Sequence, residues 1–245
     1  VLADRASITL LCLPNAGASA TMYLRWRRLL PAWIGLMPME LPGRGVRSGE
    51  ALVQDYDTLL AQLCDEYLRL PPRPYALFGH SMGGLLAYGM ARRLRQLGGG
   101  RAPRALLVSA SAAPSCRDTL VFTPDDDQAL VAELRRQGGT PEAVFDSGEL
   151  MQMILPTMRA DYRVCASFCF DAAAPPLDMP LWVMAGRNDR YTAPQMQAWR
   201  REAGSDFGLE WYDGGHFYLR GQAQERQLMQ ALERALALRQ PASCP

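Results

Sequence analysis

The segment Gly79-His80-Ser81-Met82-Gly83 sets a serine between two glycines four residues apart. A serine hydroxyl is a weak nucleophile at neutral pH and needs a base to take its proton. The chain has two histidines, His80 and His216, and 26 basic residues that are all arginine. Without Lys, Schiff-base chemistry through a lysine amine is excluded, and two histidines cannot build a His-rich metal site. No metal is expected, and a histidine base is one of two residues. His80 directly precedes Ser81, so its side chain projects elsewhere and reads as a packed, hydrogen-bonded neighbour. His216 stands in Tyr212-Asp213-Gly214-Gly215-His216-Phe217, where two glycines let a loop swing the imidazole across the end of a sheet. Ser81 with His216 is the equipment of covalent acyl transfer.

Such groups must be held by defined elements. Ser81 follows the apolar run Tyr75–Phe78 and precedes a helical pattern over 82–97, so G-x-S-x-G lies in a strand–turn–helix context. A sharp elbow there lifts the hydroxyl clear of its backbone, and the helix N-terminus presents free N–H groups to a developing oxyanion. A third residue should orient the histidine and stabilise its cation. In hydrolases with this elbow the chain order is Ser, then Asp or Glu, then His. Asp189 fits: it follows the buried run Leu181–Ala185 and a Gly186 turn, at the strand edge where catalytic groups gather in open parallel sheets. Asp161 and Asp213 are the weaker alternatives. One oxyanion donor is the Met82 N–H. The other is expected from the loop after the first strand, Leu13-Pro14-Asn15-Ala16-Gly17-Ala18-Ser19, with Ala16 first and Gly17 second.

Six short apolar runs read as strands buried on both faces: Ile8–Leu13, Ile34–Leu41, Tyr75–Phe78, Ala105–Ser109, Leu181–Ala185 and Leu209–Tyr212. Helical patterns lie between them at about 20–30, 52–69, 82–97, 193–203 and 222–239. Leu97-Gly98-Gly99-Gly100 is a helix stop. The alternation predicts an α/β fold with a mostly parallel sheet and helices on both faces. About 70 residues separate the fourth and fifth strands, far more than a crossover helix needs. This stretch opens a helix at Pro124-Asp125-Asp126-Asp127 and runs through Leu150-Met151-Gln152-Met153-Ile154-Leu155. It reads as a helical lid insertion, about 113–178, on a single domain spanning 1–245.

Composition narrows the function classes. The chain is 49% hydrophobic with a formal net charge of +1, which argues against a nucleic-acid partner. No apolar run reaches the ~20 residues of a membrane span, and Val1-Leu2-Ala3-Asp4-Arg5 lacks the form of a signal peptide. Six cysteines, at 12, 64, 116, 165, 169 and 244, are scattered without a CxxC and read as reduced thiols in a cytoplasmic protein. Cys165 and Cys169, at helical i,i+4 spacing, read as packed thiols sharing a face.

Five segments together resemble one family. They are Leu13-Pro14-Asn15-Ala16-Gly17, Glu40-Leu41-Pro42-Gly43-Arg44-Gly45-Val46-Arg47, Gly79-His80-Ser81-Met82-Gly83-Gly84, Leu155-Pro156-Thr157-Met158-Arg159-Ala160-Asp161 and Gly214-Gly215-His216-Phe217-Tyr218-Leu219. From about residue 8 to 235 the chain resembles the type II thioesterases, stand-alone editing enzymes of nonribosomal peptide and polyketide assembly lines, which have the α/β-hydrolase fold. The resemblance places the family's triad on Ser81, Asp189 and His216 and its oxyanion donors on Ala16 and Met82. It departs at Asn15, where the family often has an aromatic residue or His, at Ala18, often a second Gly, and around Ala166-Ser167, where an acid is often found. None of these removes a catalytic atom.

The resemblance implies hydrolysis of acyl thioesters from the phosphopantetheine arm of acyl or peptidyl carrier proteins, clearing misprimed or stalled groups. Phosphopantetheine then belongs to the substrate protein, and the enzyme needs no cofactor. The residues expected to meet the acyl group are Asn15, Gly17, Met153, Met158 and Phe217; methionines adapt to irregular apolar ligands. Arg25, Arg27 and Arg28 could meet an acidic carrier or form a solvated helix face. Arg44 and Arg47 are equally read as structural ion-pair residues. A monomer is expected. The alternatives are a small-ester or acyl-CoA hydrolase of the same fold, or a cyclising release domain.

Overall fold

Along the first strand, β1 (Ile8–Leu13), side chains alternate between two apolar layers: Leu10 and Cys12 pack to one side, Leu11 and Leu13 to the other, all buried. A strand covered on both faces has no room for polar alternation, which is why the run reads as continuously apolar. We describe these features from a computed structural model covering residues 6–98, 101–117 and 124–237. The reading of Val1–Arg5, the end of the glycine stop (Gly99 and Gly100), part of the insertion (118–123) and Cys244 lie outside the described residues.

The remaining strands are β2 (Ile34–Pro38), β3 (Tyr75–His80), β4 (Leu106–Ser109), β5 (Leu181–Gly186) and β6 (Phe207–Tyr212). They form one sheet in the order β2-β1-β3-β4-β5-β6, every pairing parallel. The register pairs Leu13 with Gly79, His80 with Ser109, and Gly186 with Tyr212, which brings the C-terminal ends of the central strands to one edge. Helices α1 (Tyr56–Leu68) and α2 (Met82–Gln96) cover the Leu11 and Leu77 face. A 3-10 helix (Ala20–Arg28) and the C-terminal helix (Gln222–Ala237) cover the Leu10 and Phe78 face. On that face Tyr23, Trp26 and Phe78 meet edge to face, with centroids 4.8–5.8 Å apart. The Trp26 indole N–H donates to Glu225 Oε1 at 3.1 Å, tying the two covering elements together.

Between β4 and β5 come α3 (Asp127–Gln137), α4 (Glu142–Phe145) and α5 (Gly148–Ser167). The Asp126 side chain caps α3 by accepting from Gln128 and Ala129 N–H, as the acidic run suggested. Leu130, Leu134, Met158 and Tyr162 form a small core of their own, separate from the two sheet layers. The chain then passes through α6 (Ala193–Gln197) to β6, and the C-terminal helix is α7.

Several boundaries differ from the sequence pattern. The α1 helix starts at Tyr56 rather than 52, because the Asp55 carboxylate accepts from Thr58 N–H at 2.8 Å and ends the extended stretch before it. The 193–203 pattern breaks into α6 and a 3-10 turn, Ala198–Glu202, where buried Trp199 donates its indole N–H to Ser111 O at 2.7 Å. Cys165 and Cys169 do not share a helical face, since α5 ends at Ser167 and Phe168 is extended.

Candidate active site

The turn from β3 into α2 is strained where the sequence expects it to be. Ser81 has φ 57° and ψ −117°, a region rarely used by residues other than glycine. The conformation is tolerated because the neighbours make room. A Cβ on Gly79 would lie 2.0 Å from Gly83 O, and one on Gly83 would lie 2.1 Å from Leu13 O. The Ser81 N–H donates to Ser109 O at 2.8 Å, so the elbow is pinned to the end of β4.

His216 Nε2 lies 2.9 Å from Ser81 Oγ, and His216 Nδ1 lies 2.9 Å from Asp189 Oδ2. The His216 and Asp189 side chains are 3% and 2% exposed, so this chain of hydrogen bonds is shielded from water. Asp189 itself is held by the Arg190 N–H, which donates to Oδ1 at 2.7 Å. Two loops meet here: Asn188 N–H, beside Asp189, donates to Gly214 O, two residues before His216. The arrangement can deprotonate Ser81 and stabilise an imidazolium.

The two weaker acids are elsewhere. Asp213 is 84% exposed and pairs with Arg187 at the surface. Asp161 is 1% exposed and clasps Arg44 through both its oxygens, at 2.5 and 2.6 Å.

His80 is fully buried and points away from Ser81. Its Nδ1 lies 2.8 Å from Ser109 Oγ, which lies 2.7 Å from the Tyr218 hydroxyl. Burial drives its pKa well below the ordinary 6.5, and the neighbouring His216 adds to the shift, so the ring stays neutral. The unfolded chain takes up a proton here below about pH 6.5 while the native ring resists it. The neutral ring's contribution is complete above 6.5 and is lost as pH falls toward the depressed native value. One such proton costs about 1.4 kcal/mol per pH unit, or about 3 °C in Tm for a chain of this size. His80→Asn should therefore flatten the acid slope of Tm between pH 6.5 and 5 by about that amount, measured by circular dichroism. A variant as acid-sensitive as the parent would contradict this.

In the loop after β1 the two candidate oxyanion donors are differently engaged. Gly17 N–H donates to Asp161 Oδ2 at 2.7 Å, so it is already occupied. Ala16 N–H has no acceptor among the described residues, and Met82 is the first residue of α2, where intrahelical acceptors are lacking. Asn15, Ala16, Ser81 and Met82 line one cavity of about 30 Å³, which has room for only a few waters. Asn15 is buried; its Nδ2 donates to Ala16 O at 2.8 Å, and its Oδ1 has no protein partner.

The other expected acyl contacts lie outside this cavity. Met153 is 68% exposed, on the outer surface of α5. Met158 is buried within the small α3–α5 core, packed so closely over Gly17 that a Cβ there would lie 1.9 Å from its sulfur. Phe217 stands edge-on to His216, with centroids 5.0 Å apart, and under the Arg220 guanidinium. Residues the sequence reading did not assign to the site line the cavity instead: Arg117, Gln137, Tyr162, Cys165, Arg190 and Tyr191. Arg190 and Tyr191 were findable, because they directly follow Asp189. Gln137, Tyr162 and Cys165 come from helix faces that only packing selects, and Arg117 is the extended residue after the 3-10 turn Pro114–Cys116.

The thioesterase domain family model matches residues 8–236. Gramicidin S biosynthesis protein GrsT of Aneurinibacillus migulanus is 33% identical over 218 residues, covering 87% of this chain and 84% of that protein. RedJ, a thioesterase from the prodiginine biosynthetic pathway in Streptomyces coelicolor, superposes with a TM-score of 0.87 at 33% identity, covering 96% of this chain and 92% of that one. The type II thioesterase BorB from the borrelidin biosynthetic cluster superposes with a TM-score of 0.83 at 36% identity, covering 94% and 93%. With the parallel sheet and the serine at its elbow, these likenesses make the assignment: the chain belongs to the thioesterase family, as a type II thioesterase of nonribosomal peptide and polyketide biosynthesis on an α/β-hydrolase fold.

Proposed function

We propose that Ser81, His216 and Asp189 are the catalytic triad and that the substrate is an acyl group carried as a thioester on the phosphopantetheine arm of a carrier protein. The observation that carries this reading is the unbroken line Ser81 Oγ–His216–Asp189, both links 2.9 Å long, with the His216 and Asp189 side chains shielded from water. Ser81 Oγ attacks the thioester carbonyl while His216 Nε2 takes its proton. The carbonyl oxygen becomes an oxyanion, stabilised by the Met82 and Ala16 N–H groups. The C–S bond breaks, and the pantetheine sulfur leaves with the proton from His216. A water then gives its proton to His216 and attacks the acyl-serine. The acid is released as Ser81 recovers its hydrogen. Asp189 holds the imidazole tautomer and its transient charge throughout.

In this reading the chain is one domain, and the insertion at about 113–178 is its lid. The cavity at Ser81 is too small for an acyl-pantetheine, so part of the insertion shifts to admit the substrate. Arg25, itself exposed, is paired with the buried Glu225 carboxylate, and the exposed Arg27 and Arg28 of that helix are offered to an acidic carrier. Among the described residues no helix is long and apolar enough to cross a membrane.

The test is a comparison of kcat/KM for the same short acyl group on a carrier protein, on coenzyme A and as a p-nitrophenyl ester. The carrier-bound form is expected to lead by about tenfold or more, the equivalent of about 1.4 kcal/mol of added recognition. Equal values for all three would favour a general small-ester or acyl-CoA hydrolase.

A further inference from the structure

The buried pair of Asp161 and Arg44 plays no part in the chemistry above, yet it grips the loop that bears the oxyanion donor. We propose that Asp161, held in place by Arg44, is a positioning residue that aims the Ala16 N–H at the oxyanion. Asp161 lies on α5, Arg44 in the loop after β2, and Gly17 in the loop after β1, so the contact joins three remote segments.

The hydrogen bonds act on one short stretch of backbone. Asn15 Nδ2 donates to Ala16 O at 2.8 Å, and Gly17 N–H donates to Asp161 Oδ2 at 2.7 Å. These are the two polar ends of the same peptide plane, so its tilt is fixed from both sides. Arg44 Nη1 reaches Ala18 O at 3.4 Å, and Ala18 N–H donates to Asn15 O at 3.1 Å, which closes the turn. The preceding N–H, that of Ala16, has no acceptor among the described residues, and Ala16 lines the cavity containing Ser81. Gly17 has φ +75°, so without these bonds the turn could rotate at little cost. A donor held in advance does not have to be reoriented during reaction, and its effect appears in the transition state. Because Asp161 belongs to the insertion, the loop is correctly set when α5 is seated.

This inference rests on the reading of Ala16 as an oxyanion donor, and the experiment separates the two. The first variant is Asp161→Asn. The second is the pair Arg44→Met with Asp161→Leu, which leaves no buried charge without a partner and so preserves the fold where a single removal threatens it. Both are compared with the parent enzyme for kcat and KM on an acetyl-carrier substrate. Both are also compared for the Ki of a trifluoromethyl ketone thioether, which adds to Ser81 as a tetrahedral oxyanion. The third arm is Ala16→Pro, which deletes the donor itself. Expected are losses in kcat of about 10-fold for Asp161→Asn and about 100-fold for the pair, with KM within about threefold and Ki rising by the same factor as kcat falls. A purely structural role would not link Ki to kcat in this way. If folded Asp161 variants keep kcat within twofold, or lose it without a matching rise in Ki, while Ala16→Pro is impaired, the positioning role is wrong and the donor stands. If Ala16→Pro is also unimpaired, the donor reading itself fails.

Discussion

Ser81→Ala is expected to lower turnover of an acyl-carrier thioester by roughly 10^5- to 10^6-fold, to the level that binding and the oxyanion donors alone sustain. The size follows from geometry. In the proposed mechanism Ser81 is the nucleophile of acylation and the leaving group of deacylation, and among the described residues no other hydroxyl or thiol is hydrogen-bonded to His216. Cys165, the thiol in the cavity wall, is pushed up in pKa by burial and stays a neutral thiol. The variant should retain its Tm within a few degrees, because the strained φ of 57° belongs to the backbone and not to the hydroxyl. Adding His216→Ala should cost almost nothing more, since the two residues act as a unit. Single-turnover release of acetyl from a carrier protein measures this, and a fluorophosphonate probe should label the parent but not the variant. Release within tenfold of the parent would remove Ser81 from the mechanism.

Asp189→Asn is expected to lower kcat by about 10^4-fold with little change in KM. Asp189 Oδ2 accepts from His216 Nδ1 at 2.9 Å, and the carboxylate is almost fully shielded. A carboxylate there forces the proton onto Nδ1 and leaves Nε2 free to accept from Ser81. An amide can present N–H instead and reverse that tautomer, so the geometry survives while the base is lost. Asp213→Asn is the matched control, because its side chain is 84% exposed and pairs with Arg187 at the surface. Its kcat should stay within twofold of the parent. The kcat/KM on the same substrate shows the difference: it should fall with kcat in Asp189→Asn and stay within twofold of the parent in Asp213→Asn. Comparable losses in both variants would mean that the acid has been misassigned.

Much of this site is local in origin and was therefore legible. A nucleophile elbow is made by five consecutive residues, and Gly79 and Gly83 are required by contacts of 2.0 and 2.1 Å that any side chain would violate. The strands are legible because burial on both faces suppresses polar residues along the whole run, as in Tyr75–His80, where every residue is buried. The acid could be ranked first because the chain order and the strand edge are both readable. Choosing it outright required seeing Asp161 engaged by Arg44 and Asp213 in solvent.

The alternation of strands and helices, the parallel sheet class and the candidates for nucleophile and base could be read from the sequence itself, since each depends on periodicity, on glycine spacing or on the scarcity of histidine. Only the tertiary structure decided which faces of the inserted helices meet the site. A helix pattern shows that one face is apolar but not what that face will cover. Hence Met153 turned outward and Met158 into a small separate core, while Gln137, Tyr162 and Cys165 reached the cavity. The sequence ranked Ala16 ahead of Gly17 as the candidate donor, and the tertiary structure supplies a physical difference between them. The two N–H groups are adjacent and chemically alike, and what separates them is a carboxylate 144 residues away that already holds one of them.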